Sequence, residues 1–584
     1  MKFVYYIIIL MGSPHVNQGI GAMRRQCDKE KTMNLNSFEE VKRLTTEMVN
    51  IPSVNHAKDG GESKVAKYVN DFYKAMPYFQ EHPEQNYMFA NLEEDDRHSN
   101  ICYLKGTKGN SNRCVIMIGH IDTVGVDDYG TFWEKAFRPD LLPDQFMSMS
   151  MPQAVIDDIK SGQFMFGRGA LDMKSGVAGH MVIMKYFAEH LDELDGYVMH
   201  VAECDEEDMS GGIIAALDEI VKIKKKEGLE YIACINADYS TNYNPGDENR
   251  YIYYGCIGKT LPSYVAFGKE SHVGQSFAAM DPNLLMAEIT RKMSLNVDLC
   301  DIAHGEICVP PISLKQADTK VGYTVQTALV ATGYYNYFIH GMSPRDVLAN
   351  AKQVAIDAMD DIIEHLNTQY KRFCRLSQCD FTPLPWKTRV LTYKEYYDEI
   401  AANKGQEFVD AMDKYMKELH ESDPGMDLRD YGFKVIQEMW KWMDDKSPCI
   451  VVFFGSLYSA NIEMTGKTPM EKALLDAVEG AVEMVRPEAE RQIKTRMFYP
   501  YIADSSFMAV GGDETAVDLL NDNMPSTKYK YHHDISKIRE INVPVVNIGT
   551  FGRDGHMVTE RVDMKQTFEN VPNITFETIR TLLK

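Results

Sequence analysis

The sequence places His120 and Asp122 in the run Gly119-His120-Ile121-Asp122-Thr123-Val124, directly after the apolar stretch Val115–Ile118. In a strand, residues two apart share a face, so the imidazole and the carboxylate stand side by side. That arrangement suits a metal-binding histidine whose second ring nitrogen is held by a neighbouring carboxylate. The same pair serves equally well as a hydrogen-bonded couple in a core, and its partners must decide between the two. Such partners recur where other apolar runs end. Asp172 stands in Gly167-Arg168-Gly169-Ala170-Leu171-Asp172-Met173-Lys174, and Glu203 to Asp208 put five acids into six residues after the run Tyr197–Ala202. Asp238 follows Tyr231–Asn236, and His556 follows Val543–Ile548 and a glycine-punctuated loop. Neighbouring carboxylates repel one another unless cations compensate them; a solvated acidic loop is the plainer alternative.

Together, His120, Asp172, Glu207, Asp238 and His556 supply two imidazoles and three carboxylates. They could hold two divalent ions, Zn²⁺ first with Co²⁺ or Mn²⁺ as alternatives, if one carboxylate bridges them. Asp172 suits the bridge, because each ion then gains one further carboxylate and one histidine. Paired ions of this kind lie about 3.5–4 Å apart and share a water. Glu206 and Glu207 are adjacent, and adjacent side chains do not easily serve one metal face, so one ligates and the other is free to move a proton. A carboxylate beside an activated water can take its proton and hand it to a leaving amine when burial raises its pKa. The implied chemistry is hydrolysis of an amide, with Glu206 as general base.

The elements that must position these residues alternate between helix and strand, which argues for an α/β sheet with ligands at the carboxyl ends of its strands. Ser37 and Glu40 are spaced as a capping box for a helix reaching about Met48, and a second helix runs from about Glu62 to Pro77. Strands over 85–92 and 100–104 lead to the His120 strand, and the Ser175–His190 segment reads as a helix behind Asp172. Residues 128–164, rich in Pro, Met and acids, read as an irregular insertion. From Gly258 the order changes: strand 261–267, Ser271-His272-Val273-Gly274, helix 282–293, strand 327–339 and helix 344–373. That order predicts a smaller inserted α+β domain, followed over 392–446 by charged, aromatic-rich helices whose aromatics suit core packing. The strand Cys449–Tyr458 could close the inserted domain or begin the return to the first. The expected division is therefore an extension at 1–32 outside the fold, a catalytic domain at 33–257, the insert at 258–446 and the rest of the catalytic domain at 447–584, with that last boundary at 447 or nearer 465. Gly255 to Thr260 lacks the spacing of a phosphate-binding loop, and Gly511-Gly512-Asp513-Glu514 reads as a turn.

Six strings in order, GHIDTV, GRGALDMKSG, DEEDMSGG, NADYS, SHVG and GRDGHMVTE, resemble the di-zinc metallopeptidase and deacylase family of aminoacylase, acetylornithine deacetylase, succinyl-diaminopimelate desuccinylase and carboxypeptidase G. The segments GKESHVGQSF, VPPISLKQ and NIGTFGRDGHMVTERV are similar to a longer, arginine-utilisation branch of that family. The resemblance runs from about residue 34 to the end. It implies a zinc-hydrolase domain of mixed sheet flanked by helices, with an inserted lid that often forms a dimer interface. It further implies one zinc on His120, Asp238 and Asp172, a second on Asp172, Glu207 and His556, Asp122 orienting His120, and Glu206 as general base. His272 matches the family's lid histidine, which stabilises the oxyanion, in some members across a dimer. The long 128–164 insertion and the 392–446 helices depart from the family pattern. Arg553, beside His556, is expected in a surface ion pair.

The 584 residues, 44% hydrophobic and 25% charged, fit a soluble globular protein of two or three domains. A net charge of −23 without a dense basic cluster argues against a nucleic-acid partner. No apolar stretch approaches the ~20 residues that span a bilayer, and the run Phe3–Met11 lacks a clear cleavage site, so no membrane association is expected. Eleven cysteines without CxxC spacing suggest reduced thiols and a cytoplasmic location. The expected activity is cleavage of a small N-acyl amino acid or dipeptide, with homodimerisation through the lid. An amidase acting on a ureido or carbamoyl compound is the alternative enzyme. A catalytically silent binding or regulatory homologue is the alternative of another class, against which the complete ligand set argues.

Overall fold

The computed structural model describes residues 35–584 apart from 56, 58–59, 92–95, 456–457, 512–513 and 532–534. The expected 1–32 extension and the Gly512-Asp513 centre of the expected turn lie outside the described residues. The first of two large sheets has eight strands: β1 (Asn86–Ala90), β2 (His98–Lys105), β3 (Arg113–His120), β4 (Tyr197–Glu203), β5 (Glu230–Asn236), β6 (Arg250–Tyr254), β7 (Ile493–Arg496) and β8 (Val545–Asn547). Their order across the sheet is β1-β2-β4-β3-β5-β8-β6-β7. The four central strands β4, β3, β5 and β8 are parallel, so Glu203, His120, Asn236 and Asn547 end on one edge.

β3 shows why its apolar run is continuous rather than alternating. Val115 and Met117 pack into one layer, whereas Cys114, Ile116 and Ile118 pack into the other. A parallel strand covered on both faces needs apolar residues in both phases. One layer contains helices Phe38–Val49, Gly61–Lys74, Lys174–Glu189, Pro469–Val485 and Val571–Leu582; the other contains Gly211–Glu227 and Ile535–Ile541.

The second sheet runs Ile312–Asp318, Val330–Ile339, Pro262–Phe267, Cys449–Phe454, Val390–Thr392, with Gly258–Thr260 also paired to Val330–Ile339. Helices Pro282–Met293 and Pro344–Ser377 cover one face. Helices Tyr393–Lys404, Gln406–Ser422 and Leu428–Trp442 cover the other, where Trp440 stacks on Phe267 at 4.3 Å. The aromatics of 392–446 are thus core, as their composition suggests.

Three local expectations change. Ser37 makes no capping box: its Oγ donates to the backbone carbonyl of Phe568 at 2.6 Å, because the helix start is buried against that segment and a tertiary acceptor replaces the local one. The 128–164 insertion is not irregular. It forms the short turns Asp127–Lys135 and the helices Leu142–Met147 and Gln153–Ser161 around a small core of Tyr129, Phe137, Leu142, Phe146 and Phe166. The strand Cys449–Phe454 lies in the second sheet, paired with both Pro262–Phe267 and Val390–Thr392. A division at 447 would cut that sheet, and one nearer 465 leaves it whole. No helix among the described residues is long and apolar enough to cross a membrane.

Candidate active site

The carboxyl edge of the parallel strands gathers His120, Asp172, Glu207, Asp238 and His556. Ligand atoms of His120, Asp172 and Asp238 all lie within 4.8 Å of one another, and so do those of Asp172, Glu207 and His556. Asp172 belongs to both groups. Its Oδ1 lies 2.9 Å from His120 Nε2 and its Oδ2 lies 2.9 Å from His556 Nε2. Glu207 Oε1 is 3.1 Å from the same His556 nitrogen, and Glu206 Oε2 is 3.9 Å from His120 Nε2.

Each side chain is held from behind. Asp122 is fully buried; its Oδ1 lies 3.4 Å from His120 Nδ1, which also sits 3.3 Å from the Asp122 carbonyl. The same carboxylate accepts the backbone N–H groups of Glu206 and Glu207 at 3.2 and 3.1 Å, so one aspartate orients the histidine and both glutamates. The turn that presents the glutamates runs through Asp205 at a left-handed φ of +64°, a costly position for a non-glycine residue. Asp205 is tied down there by Arg97, by Asn55 and by its backbone N–H donating to Glu62. Asp238 is fixed by Asn547, which accepts its N–H at 3.0 Å and donates to its carbonyl at 2.9 Å. Gly549 is required beside it, since a Cβ there would stand 1.6 Å from the Asp238 carbonyl oxygen.

Burial pushes the Glu206 carboxyl well above its usual range; His120 opposes this and Asp504 adds to it. Burial and the charge of Asp172 push Asp238 up to about 8. Burial likewise raises Glu207. For Asp172 burial is outweighed by the hydrogen bonds from His120 and His556, which hold it below the ordinary carboxylate range. The hydrogen bonds from Asp172 and Glu207 drive His556 up to about 10. Two imidazoles and three carboxylates converging in two triplets are the donor set that a divalent pair takes. The side chain of His556 is 45% exposed and Glu207 is half-buried, while His120, Asp172 and Asp238 are buried, so the cluster opens to solvent on the His556 side.

His272 is not brought to this cluster. It sits exposed on the inserted domain, its Nδ1 accepting the N–H of Gly274 at 3.1 Å, and its loop bridges to Gln326. Arg553 is bound at 2.8 Å to Asp158 of the insertion, which is buried and also accepts from the buried Arg561 at 2.7 Å, so the pair is not the surface one expected: the insertion packs over it. Two acids escape local sequence reasoning. Glu560 has Oε1 accepting the N–H groups of Gly169, Leu171 and Asp172 at 2.9, 3.2 and 3.4 Å, so it shapes the loop that presents Asp172. Its place four residues after His556 is the only signal it leaves. Asp504, buried and pushed up to about 7 by burial, faces His120 and Glu206 from a turn with no recognisable pattern around it.

A profile of peptidase family M20/M25/M40 matches residues 116–580. The chain belongs to peptidase family M20/M25/M40. It is 31% identical over 555 residues to the protein RocB of Bacillus subtilis (strain 168), covering 95% of this chain and 97% of that one. It is 26% identical over 174 residues to the succinyl-diaminopimelate desuccinylase of Coxiella burnetii (strain RSA 493 / Nine Mile phase I), covering 30% of this chain and 40% of that one. Among solved structures, the M20 family metallo-carboxypeptidase Sso-CP2 from Sulfolobus solfataricus aligns with a TM-score of 0.47 and 10% identity, covering 93% of this chain and 99% of that one. As a member of the M20 family the chain is a metal-dependent hydrolase of the peptidase and amidohydrolase kind.

Proposed function

We propose that this M20 enzyme hydrolyses the amide bond of a small N-acyl amino acid or dipeptide. His120 and Asp238 would hold one divalent ion, Glu207 and His556 the other, and Asp172 both; Zn²⁺ suits the mixed nitrogen and oxygen donors best. The observation that carries this reading is the placement of Asp172, whose two carboxylate oxygens each face a different histidine at 2.9 Å. Ions bound there would supply Lewis-acid polarisation of the amide carbonyl and ease deprotonation of water. Glu206, turned towards His120 and raised by burial, is the residue suited to take that proton and carry it to the leaving nitrogen. Asp122 keeps the His120 ring and the Glu206–Glu207 turn in register. The succinyl-diaminopimelate desuccinylase among the relatives supports an N-acyl substrate by its name.

We also infer a homodimer through the inserted domain. The edge strand Ile312–Asp318 exposes Ile312 and Leu314, and the following segment exposes Val321, Tyr323 and Val325. An exposed apolar edge of this kind is a pairing surface. His272 is carried on the same segment through its bridge to Gln326, which supports its delivery to a partner's site.

Metal analysis combined with a panel of N-acyl amino acids and dipeptides tests the reading. About two ions per chain and hydrolysis that is lost on chelation and regained on adding metal are expected. Activity that persists in metal-free protein would overturn it.

A further inference from the structure

Cys374 and Cys379 meet at the end of the long helix of the inserted domain. The helix Pro344–Ser377 stops where Gln378 turns left-handed at a φ of +57°, and the N–H of Cys379 bonds back to the carbonyl of Cys374 at 3.0 Å. A helix end closed by a bond that spans six residues brings the side chains at its two ends into contact. The two cysteines occupy those ends. Both are free thiols; Cys374 is 1% exposed, whereas Cys379 is the one exposed cysteine among the described residues.

The surroundings distinguish the two sulfurs. The Ser377 hydroxyl lies 3.4 Å from Cys379 Sγ. That hydroxyl first and the Cys374 thiol second hold Cys379 below the ordinary thiol range, against the charge of Asp380. Cys374 is displaced the other way, by burial and then by Cys379. An exposed thiol that ionises readily, next to a second thiol that can resolve it, is the arrangement in which oxidation runs on to a disulfide. Residues 379–389 carry no helix or strand, and they fold back along the helix: Phe381 packs on Tyr370 at 5.8 Å, and the N–H of Leu384 donates to Asn367 Oδ1 at 2.8 Å. The same helix end supports the turn that follows His272, because Phe277 packs against Tyr370 and Phe373 at 4.9 and 5.3 Å between ring centroids.

We propose that Cys374 and Cys379 are a redox modification site, in which a hydroperoxide converts the pair to a disulfide that fastens the 379–389 segment to the helix end and a dithiol reductant opens it again. The Cys379 thiolate attacks the outer peroxide oxygen and breaks the O–O bond, giving a sulfenic acid and releasing an alcohol, or water from hydrogen peroxide. The Cys374 sulfur then attacks the Cys379 sulfur, and the S–O bond breaks and water leaves as the S–S bond forms. Together the two thiols give up two electrons and two protons, which the peroxide takes. Reduction returns through a mixed disulfide with the dithiol.

The test treats reduced, metal-loaded protein with hydrogen peroxide in slight excess over chains, blocks the remaining thiols in denaturant and digests with trypsin in the absence of reductant. Trypsin cuts after Arg375, so the bridge is expected to hold peptides 373–375 and 376–387 in one species. Of the eleven thiols of the chain, two should be lost, and dithiothreitol should restore them. Cys379→Ser, at an exposed position, should abolish the linked species. Cys374→Ser should halt the oxidation at a Cys379 sulfenic acid that dimedone captures. Retention of all eleven thiols, oxidation of the unaltered chain that stops at the Cys379 sulfur, or a link from Cys379 to Cys27 or to Cys379 of a second copy overturns the site.

Discussion

Glu560 and Arg168 form an ion pair at 2.6 Å in which the two side chains are 0% and 1% exposed. The pair ties both halves of the candidate site together, because Glu560 accepts from the Asp172 loop while Arg168 Nη2 donates to the carbonyl of His556 at 3.4 Å. Removing one partner of a buried pair leaves the other charged and unsolvated, at a cost of about 3–5 kcal/mol. Glu560→Ala is therefore expected to lower the unfolding temperature and to reduce metal content. Glu560→Gln, which keeps an acceptor for the backbone N–H groups, should lose less of both. Calorimetry with metal analysis checks this, and equal behaviour of the two variants would show that the carboxylate charge is what matters.

Glu206→Gln removes the proton carrier and leaves the side-chain volume. Turnover is expected to fall by roughly 10²–10⁴-fold, the contribution of a general base. Metal content should stay near two ions per chain. Loss of metal with this substitution would mean that Glu206 ligates and Glu207 carries the proton.

Asp122→Asn keeps an acceptor beside Glu206 and Glu207 but removes the charge that holds the His120 ring. Supporting residues of this kind are worth about 10–100-fold in metal affinity. A competition titration with a chelator is expected to show that loss, and unchanged affinity would remove Asp122 from the site.

His180 and His200 meet edge to face at 5.4 Å between ring centroids, inside the layer behind the sheet. Tyr73 bonds His200 Nδ1 at 2.7 Å, whereas His180 has no hydrogen-bond partner for either nitrogen among the described residues. Burial pushes His180 down to about 3, and burial pushes His200 well below its ordinary value. Both rings are neutral when folded and take up protons when unfolded below about pH 6.5, so the unfolded state binds more protons there and stability falls with pH. Each histidine is expected to cost about 1.4 kcal/mol per pH unit below about pH 6 and nothing above about pH 7. His180→Leu should flatten that slope by one histidine's share and, by deleting two unpaired nitrogens, hold or raise stability at pH 7 by about 1 kcal/mol. Unfolding curves at pH 5, 6 and 7 check both points; slopes that match between the two proteins would contradict the assignment.

The residue types at the strand ends were legible in the sequence because the signals are local. A run apolar in both phases marks a strand buried on both faces, and the polar residue that follows it must emerge at the sheet's edge. His120, Glu206, Glu207, Asp238 and His556 could each be found that way, and the alternation of such runs with helices indicated the α/β sheet. The sequence order of the motifs also led to the family. What the tertiary structure decided is everything that depends on pairs distant in the chain. That Asp172 turns one oxygen to His120 and the other to His556, the latter 384 residues away, follows from β3 and β8 lying parallel on either side of β5. The sheet that receives Cys449–Phe454 was undecided locally because an apolar strand fits either sheet, and only its pairing with Pro262–Phe267 assigns it. Ser37 fits a capping box in sequence, yet the Phe568 carbonyl takes its hydroxyl, because a buried acceptor must be satisfied by whichever donor the packing brings. Glu560, Asp504 and His180 acquire their surroundings in the same way: burial, which raises a carboxyl or orphans a ring nitrogen, is a property of the assembled core and leaves no spacing in the chain.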